Sequence, residues 1–315
     1  MARDLTPVHP ELRQSAKYFP RMTLNRWNVG LSQAIIRLQP KAKVPNGIEV
    51  YQATIEGTDQ KHKIRLRIYK PVTMMPNAPV LLWLHGGGLI IGSPELSDRS
   101  VFRLINELGI MIVSVDYRLA PRHPFPTPLD DCHVALKWVH ANAEILGIDP
   151  NRIAIGGESA GGGLTASLVQ LAHDQGAIHA VFQLLIYPML DDRSALRADI
   201  PHPELLTWTQ KSNQFGWEAY LGQACGSDNV PVYAVPARRE NLTGLPPAWI
   251  GVGTLDLFHD EDVAYAEKLQ RDGVDCELVI IPGAFHGFDQ FDRDLPVVQA
   301  FRQSQIEALR KHLNL

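Results

Sequence analysis

The stretch Arg152-Ile153-Ala154-Ile155-Gly156-Gly157-Glu158-Ser159-Ala160-Gly161-Gly162-Gly163 decides the fold of this 315-residue chain. An apolar strand, Arg152 to Ile155, runs into Gly-x-Ser-x-Gly, and a helical pattern from Ala160 to His173 follows without a linker. So sharp a turn leaves no room for side chains two positions before and two after the serine. Gly157 and Gly161 meet that demand. Ser159 then stands above a sheet at a helix N-terminus, where free N–H groups stabilise negative charge.

Outward from this turn, short apolar runs recur at Val80 to Leu84, Ile110 to Val115, Phe182 to Tyr187, Ala248 to Val252 and Glu277 to Ile281. Continuous apolar runs of this length read as strands covered on both faces, hence a parallel sheet. Helical patterns lie between and after them: Leu96 to Leu108, Leu129 to Leu146, Asp260 to Leu269 with Asp260 as its N-cap, and Val297 to Leu313. Strand–helix alternation of this kind predicts a doubly wound α/β fold with helices on both faces of a mostly parallel sheet. Ile48 to Ile55 and Lys63 to Tyr69 alternate with period two and read as antiparallel edge strands.

Two segments do not alternate. Residues 1–45 carry Tyr18, Phe19, Met22, Leu24, Trp27 and Val29, and residues 190–240 carry Leu205, Leu206, Trp208, Phe215, Trp217 and Tyr220. The second is too long for a plain loop. A helical cap in two pieces, residues 1–45 and 190–240, on a core spanning 46–315 is the economical expectation. Trp27, Trp208, Phe215 and Trp217 either line an apolar pocket or form the cap's own core; the sequence leaves both open.

A serine nucleophile needs a base, and the base needs an orienting acid, in the chain order Ser, Asp or Glu, His for this fold. Six histidines follow Ser159. His173 and His312 fall within helices, and His179 and His202 precede the last strands. Of His259 and His286, the latter is favoured, because it follows the strand Glu277 to Ile281 on a loop at a carboxyl end, where open α/β sheets place their sites. Asp256 stands likewise just after Ala248 to Val252. Asp260 and Asp262 compete with it, yet helix capping and the helix dipole already account for acids there. At the end of another strand, His85-Gly86-Gly87-Gly88 leaves the backbone free to turn its N–H groups toward an oxyanion. Glu158 remains open: it orients neighbouring loops, or is the buried partner of an arginine such as Arg118 or Arg152.

Several classes are excluded. Gly161 to Ala166 fits Gly-x-Gly-x-x-Ala, but the serine turn already occupies that strand–helix junction and no acid ends a strand about 20 residues on, so no dinucleotide is expected. The 12 histidines show no His-Glu-x-x-His spacing, and no metal or other cofactor is expected. The net charge is −4. The densest basic stretch, Lys61 to Lys70, alternates with apolar residues as the wet face of a strand would, so no nucleic-acid partner is expected. The longest apolar run, Val80 to Gly92, is too short to span a bilayer, and no stable membrane insertion is expected. Met1 to Pro7 lack an apolar signal core, and the three cysteines form no Cys-x-x-Cys. A cytoplasmic protein with reduced thiols is expected.

His85-Gly86-Gly87-Gly88 with Ile91-Gly92-Ser93, Asp116-Tyr117-Arg118-Leu119-Ala120-Pro121, Pro124-Phe125-Pro126 and Gly157-Glu158-Ser159-Ala160-Gly161-Gly162 occur in one chain, in that order. In this set the chain resembles the hormone-sensitive-lipase-like carboxylesterases, bacterial family IV, from about Val80 to Phe288. The resemblance implies an α/β-hydrolase fold with an N-terminal cap, and cofactor-free hydrolysis of short- to medium-chain acyl esters through an acyl-enzyme. It implies Ser159 as nucleophile, His286 as base, Asp256 as acid, and Gly87, Gly88 and Ala160 as oxyanion donors, with His85 and Gly86 shaping the motif loop. The implied partner is a small-molecule ester; a homodimer is left open. The same triad serves amides and lactones, and only the pocket decides. Arg122 and Asp256-Leu257-Phe258 depart from the family pattern, and the second loosens the assignment of the acid.

Overall fold

The computed structural model describes residues 4–18, 23–58, 61–291 and 294–315. Its eight strands are β1 (Ile48–Glu56), β2 (Lys63–Pro71), β3 (Ala78–Leu84), β4 (Met111–Asp116), β5 (Ile148–Glu158), β6 (Phe182–Ile186), β7 (Ala248–Gly253) and β8 (Cys276–Ile281). They form one sheet in the order β1-β2-β4-β3-β5-β6-β7-β8. β1 pairs antiparallel with β2, and β2 with β4; every later pairing is parallel. The helices of the described residues are α1 (Arg13–Lys17), α2 (Val29–Leu38), α3 (Asp98–Leu108), α4 (Thr127–Ala141), α5 (Ala143–Leu146), α6 (Ala160–Gln175), α7 (Gln210–Leu221), α8 (His259–Arg271) and α9 (Pro296–Leu313).

The central strands are apolar throughout because both faces are covered. All seven residues of β3 are buried. Their side chains alternate: Leu82 and Leu84 meet α4, α6 and α8 in one apolar layer, while Leu81 and Trp83 meet α3 and α9 in the other. The parallel strands share one direction, so their carboxyl ends, and the loops that follow, converge along one edge.

Three expectations differ from the structure. The helix expected over 129–146 begins at Thr127 and breaks at Asn142, whose φ of −104° and ψ of 17° leave the helical region and whose side-chain amide donates to Trp138 O at 2.8 Å. Asp260 does not cap α8: the helix starts one residue earlier, at His259, with no side-chain cap, and Asp260 instead bonds His259 Nδ1 at 2.7 Å and Arg197. The basic stretch is not a wet face throughout. β2 lies between β1 and β4 with α3 packed beside it, so Arg67 is only 5 % exposed. It is held by Asp98 through two hydrogen bonds of 2.9 Å and by the Tyr69 hydroxyl.

The two segments outside the alternation are helical in part. Residues 190–240 contain α7 and three short 3-10 turns. In the first segment, Val8, Leu12 and Ala16 join the α3–α9 layer, whereas Leu24 and Val29 join the opposite one. Leu24 N–H donates to Ser212 Oγ of α7 at 2.9 Å, which ties the two segments together. Trp27 and Tyr18 are exposed. Phe19 and Met22 lie outside the described residues.

Candidate active site

Three strands deliver the expected residues to one place. Ser159 follows β5, Asp256 follows β7 and His286 follows β8, each on the turn or loop beyond a carboxyl end. Ser159 sits at φ 56° and ψ −122°. A non-glycine residue holds such a backbone only where its surroundings over-determine it, at about 1–3 kcal/mol. Here Ser159 N–H donates to Ile186 O at 2.8 Å, and its carbonyl accepts from Gly163 and Met189, each at 3.0 Å. A Cβ on Gly161 would stand 2.0 Å from Leu84 O, and one on Gly163 2.0 Å from Met189 O. The glycine run that mimics a dinucleotide fingerprint is therefore the surface on which the serine turn packs.

His286 Nε2 lies 2.9 Å from Ser159 Oγ, and its Nδ1 lies 2.8 Å from Asp256 Oδ2. Asp256 Oδ1 accepts Phe258 N–H at 2.9 Å, which fixes the carboxylate plane. Phe258 meets the His286 ring edge-on at 5.1 Å and 90°, Tyr187 meets it at 4.7 Å and 65°, and the His286 carbonyl accepts from Thr207 Oγ1 at 2.7 Å. The departure at Asp256-Leu257-Phe258 thus leaves Asp256 hydrogen-bonded to the histidine. The competitors lie elsewhere. His259 and Asp260 bond each other, and Asp262 is fully buried without a hydrogen-bond partner for either carboxyl oxygen among the described residues. Burial, then the neighbouring acids Glu261 and Asp256, push the Asp262 carboxyl far up, so it is held protonated.

The glycine loop faces Ser159 from the end of β3. Gly87 and Gly88 have φ of 122° and 60°. A Cβ on Gly87 would lie 2.1 Å from Ile91 O, and one on Gly88 2.2 Å from the Trp208 ring. Among the described residues no protein acceptor takes the N–H of Gly87, Gly88 or Ala160, so all three remain free for a ligand. His85 props this loop from within. It is fully buried, stacks on Tyr117 at 4.2 Å, and its Nδ1 bonds Gly86 O at 2.8 Å, while the Tyr117 hydroxyl donates to His85 O at 2.6 Å. Burial keeps the His85 ring below its ordinary value, hence neutral.

Glu158 pairs with neither suggested arginine: Arg118 holds Asp131, and Arg152 holds Asp149. It accepts instead from Ser97 Oγ at 2.9 Å and Gln290 Nε2 at 3.0 Å. Ser97 precedes α3 and Gln290 follows His286, so one carboxylate links three elements behind the serine. Neither partner carries a sequence signal; only the fold brings them to Glu158. Burial, then the Asp289 carboxylate, push the Glu158 carboxyl up to about 7, against the Ser97 hydrogen bond. The folded chain therefore holds this proton more tightly than the unfolded chain does. The advantage is full below the ordinary 4.5 and is lost as pH rises through about 7, about 3 kcal/mol in all at 1.36 kcal/mol per pH unit. Glu158→Gln should accordingly gain thermal stability relative to the parent between pH 5 and pH 8, with Gln290 turning its amide to match. A melting-temperature difference that stays flat over that range would contradict the assignment.

Ser159 and His286 open into a cavity of about 790 Å³, bounded by Gln39 to Lys43 on one side and Trp208 on the other. The aromatics of the two segments outside the alternation divide. Trp208 lines the cavity, Trp217 is buried in the core, Phe215 packs against that core, and Trp27 is 80 % exposed. Among the described residues no helix is long and apolar enough to cross a membrane.

A family model described as the alpha/beta hydrolase fold matches residues 81–290. The chain is 34 % identical over 315 residues to carboxylesterase NlhH of Mycobacterium tuberculosis, covering 98 % of this chain and 97 % of that one. It is 31 % identical over 280 residues to an ethyl acetate hydrolase of Pseudomonas putida, covering 87 % and 85 %. A solved bacterial heroin esterase superposes with a TM-score of 0.87 at 34 % identity over 98 % of this chain and 99 % of that one. Two thirds of the sequence match the family, near-complete relatives share a third of their residues with it, and the fold is theirs. The chain belongs to the α/β-hydrolase family, among its hormone-sensitive-lipase-like carboxylesterases, and is a serine ester hydrolase.

Proposed function

We propose that the chain hydrolyses short- to medium-chain acyl esters in two steps through an acyl-Ser159 intermediate. The observation that carries this is the continuous relay Asp256–His286–Ser159, at 2.8 and 2.9 Å. Ser159 Oγ attacks the ester carbonyl carbon as His286 Nε2 takes its proton, and Asp256 holds the ring and stabilises the imidazolium. The carbonyl π electrons move to oxygen, and that oxyanion receives the N–H groups of Gly87, Gly88 and Ala160. The C–O bond to the alcohol then breaks, and His286 gives its proton to the leaving oxygen. Water repeats the sequence on the acyl carbon: His286 takes one water proton, and Ser159 Oγ leaves with it. The carboxylic acid departs and the enzyme is restored.

A cap in two pieces, residues 1–45 and 190–240 on a core of 46–315, completes the reading. It is supported by Leu24 bonded to Ser212, and by Gln39 to Lys43 and Trp208 bordering the cavity. Trp208, set against Gly88, limits depth beside the oxyanion loop. A cavity of about 790 Å³ suits a small ester, and a relative carries the name ethyl acetate hydrolase. Free, buried Cys132, Cys225 and Cys276 support a reducing, cytoplasmic setting. The test is a series of p-nitrophenyl esters from acetate to laurate. Peak kcat/KM is expected between the acetate and the octanoate; a maximum at the laurate would overturn the proposed substrate class.

A further inference from the structure

Beyond the reacting bond, the cavity wall is cationic although the chain carries a net charge of −4. Lys41, Lys43 and Arg99 line the same cavity as Ser159 and His286, as do the acids Glu95 and Glu158. A second cavity, of about 540 Å³, shares Ala42, Lys43 and Arg99 and continues along α3 past Phe102 to Asn106. Lys43 and Arg99 therefore stand on the ridge where the two join.

Among the described residues the acids of this region are already engaged. Glu95 accepts two hydrogen bonds from Arg65, at 2.6 and 2.9 Å, and Lys41 reaches the same carboxylate at 3.7 Å. Glu158 is turned inward to Ser97 and Gln290, and Glu107, at the far end, lies 3.6 Å from Arg310. Among the described residues neither Lys43 nor Arg99 has an ion-pair partner. Two cations without an ion-pair partner among the described residues, on the wall of the nucleophile's cavity, create a positive field that a neutral ester does not use.

We infer that this site favours esters bearing a carboxylate at the end remote from the scissile bond, held by Lys43 and Arg99. The inference rests on the ester-hydrolase reading of Ser159 and names the substrate class within it. The carboxylate belongs either to the acyl half, as in the half-ester of a dicarboxylic acid, or to the alcohol half, as in an acylated hydroxy acid. The reaction is the same hydrolysis in both cases, and the carboxylate takes no part in bond making. Exposed ion pairs are individually weak, so the two cations together are expected to give about a tenfold preference, weakened by salt.

The experiment compares pairs matched in chain length, on the 315-residue chain at pH 7.5, following acid release. Monoethyl adipate is set against ethyl hexanoate for the acyl arm, and 5-acetoxypentanoate against pentyl acetate for the alcohol arm. The readout is the ratio of kcat/KM, carboxylate over methyl, which cancels differences in folded fraction between preparations. In at least one arm the ratio should fall about tenfold in Lys43→Glu/Arg99→Glu, and it should also fall when the parent is assayed in 0.5 M NaCl. The milder Lys43→Gln/Arg99→Gln pair serves if the reversal does not fold. A drop of threefold or more supports the inference, and the responding arm identifies the half of the ester. A smaller drop in both arms overturns it while leaving ester hydrolysis intact. A parent that hydrolyses none of the four esters overturns the underlying reading and this inference with it.

Discussion

Replacing Ser159 by Ala is expected to lower kcat/KM for p-nitrophenyl butyrate by about 10⁴- to 10⁶-fold, with the melting temperature nearly unchanged. The size follows from what one oxygen does. Ser159 Oγ is the atom His286 Nε2 faces at 2.9 Å, and it lies beside free N–H groups on the glycine loop. Without it no acyl-enzyme forms, and only binding and oxyanion stabilisation remain. The fold has little reason to suffer. The turn is held by backbone bonds of Ser159 to Ile186, Gly163 and Met189, and Ala keeps all three. A variant that retains a tenth of the parent rate would remove Ser159 from the chemistry.

The second large effect separates the three candidate acids. Asp256→Asn is expected to lower kcat about 10⁴-fold, because an amide facing His286 Nδ1 favours the wrong tautomer and cannot stabilise the imidazolium. Asp260→Asn should stay within about threefold of the parent, since among the described residues Asp260 bonds His259 and Arg197 at the surface, away from Ser159 and His286. Asp262→Asn should also retain activity, because Asp262 is held protonated and Asn matches its shape. Steady-state kinetics on the three variants decide the matter. A large loss in Asp260→Asn with a small one in Asp256→Asn would reverse the assignment.

How much of this could be read from the residues depends on how local the cause is. Gly157, Ser159 and Gly161 encode a steric demand within five positions, so the serine turn was visible directly. The parallel strands were visible because burial on both faces writes itself as unbroken apolar runs, as in Val80 to Leu84. His286 and Asp256 are expected from the rule that such sheets gather function at carboxyl ends, and the two lie 2.8 Å apart. What goes unread is mostly contact between residues distant in sequence. Arg67 looks like a solvated charge until Asp98, 31 residues on, is folded against it. Glu158 reads equally as a loop-orienting group or as an arginine's partner, and only the fold supplies its donors, Ser97 and Gln290, 61 and 132 residues away. Asp260 had the right type and spacing for a cap, and lost that role to a helix that starts at His259. The sequence leaves Trp27, Trp208, Phe215 and Trp217 unsorted. Only packing separates Trp208, which lies against the glycine loop, from Trp217, which fills the core.

The central claim is that one hydroxyl, activated by His286 and Asp256, becomes covalently acylated during turnover. A fluorophosphonate ester tests it most directly, since attack by an activated serine expels fluoride and leaves a stable O–P bond. Intact mass and peptide mapping should show one adduct per chain, on Ser159, formed in step with loss of esterase activity. Ser159→Ala should take up none, and Asp256→Asn should label far more slowly than the parent. An adduct on another residue, or a fully inactivated enzyme with Ser159 unmodified, would contradict the account.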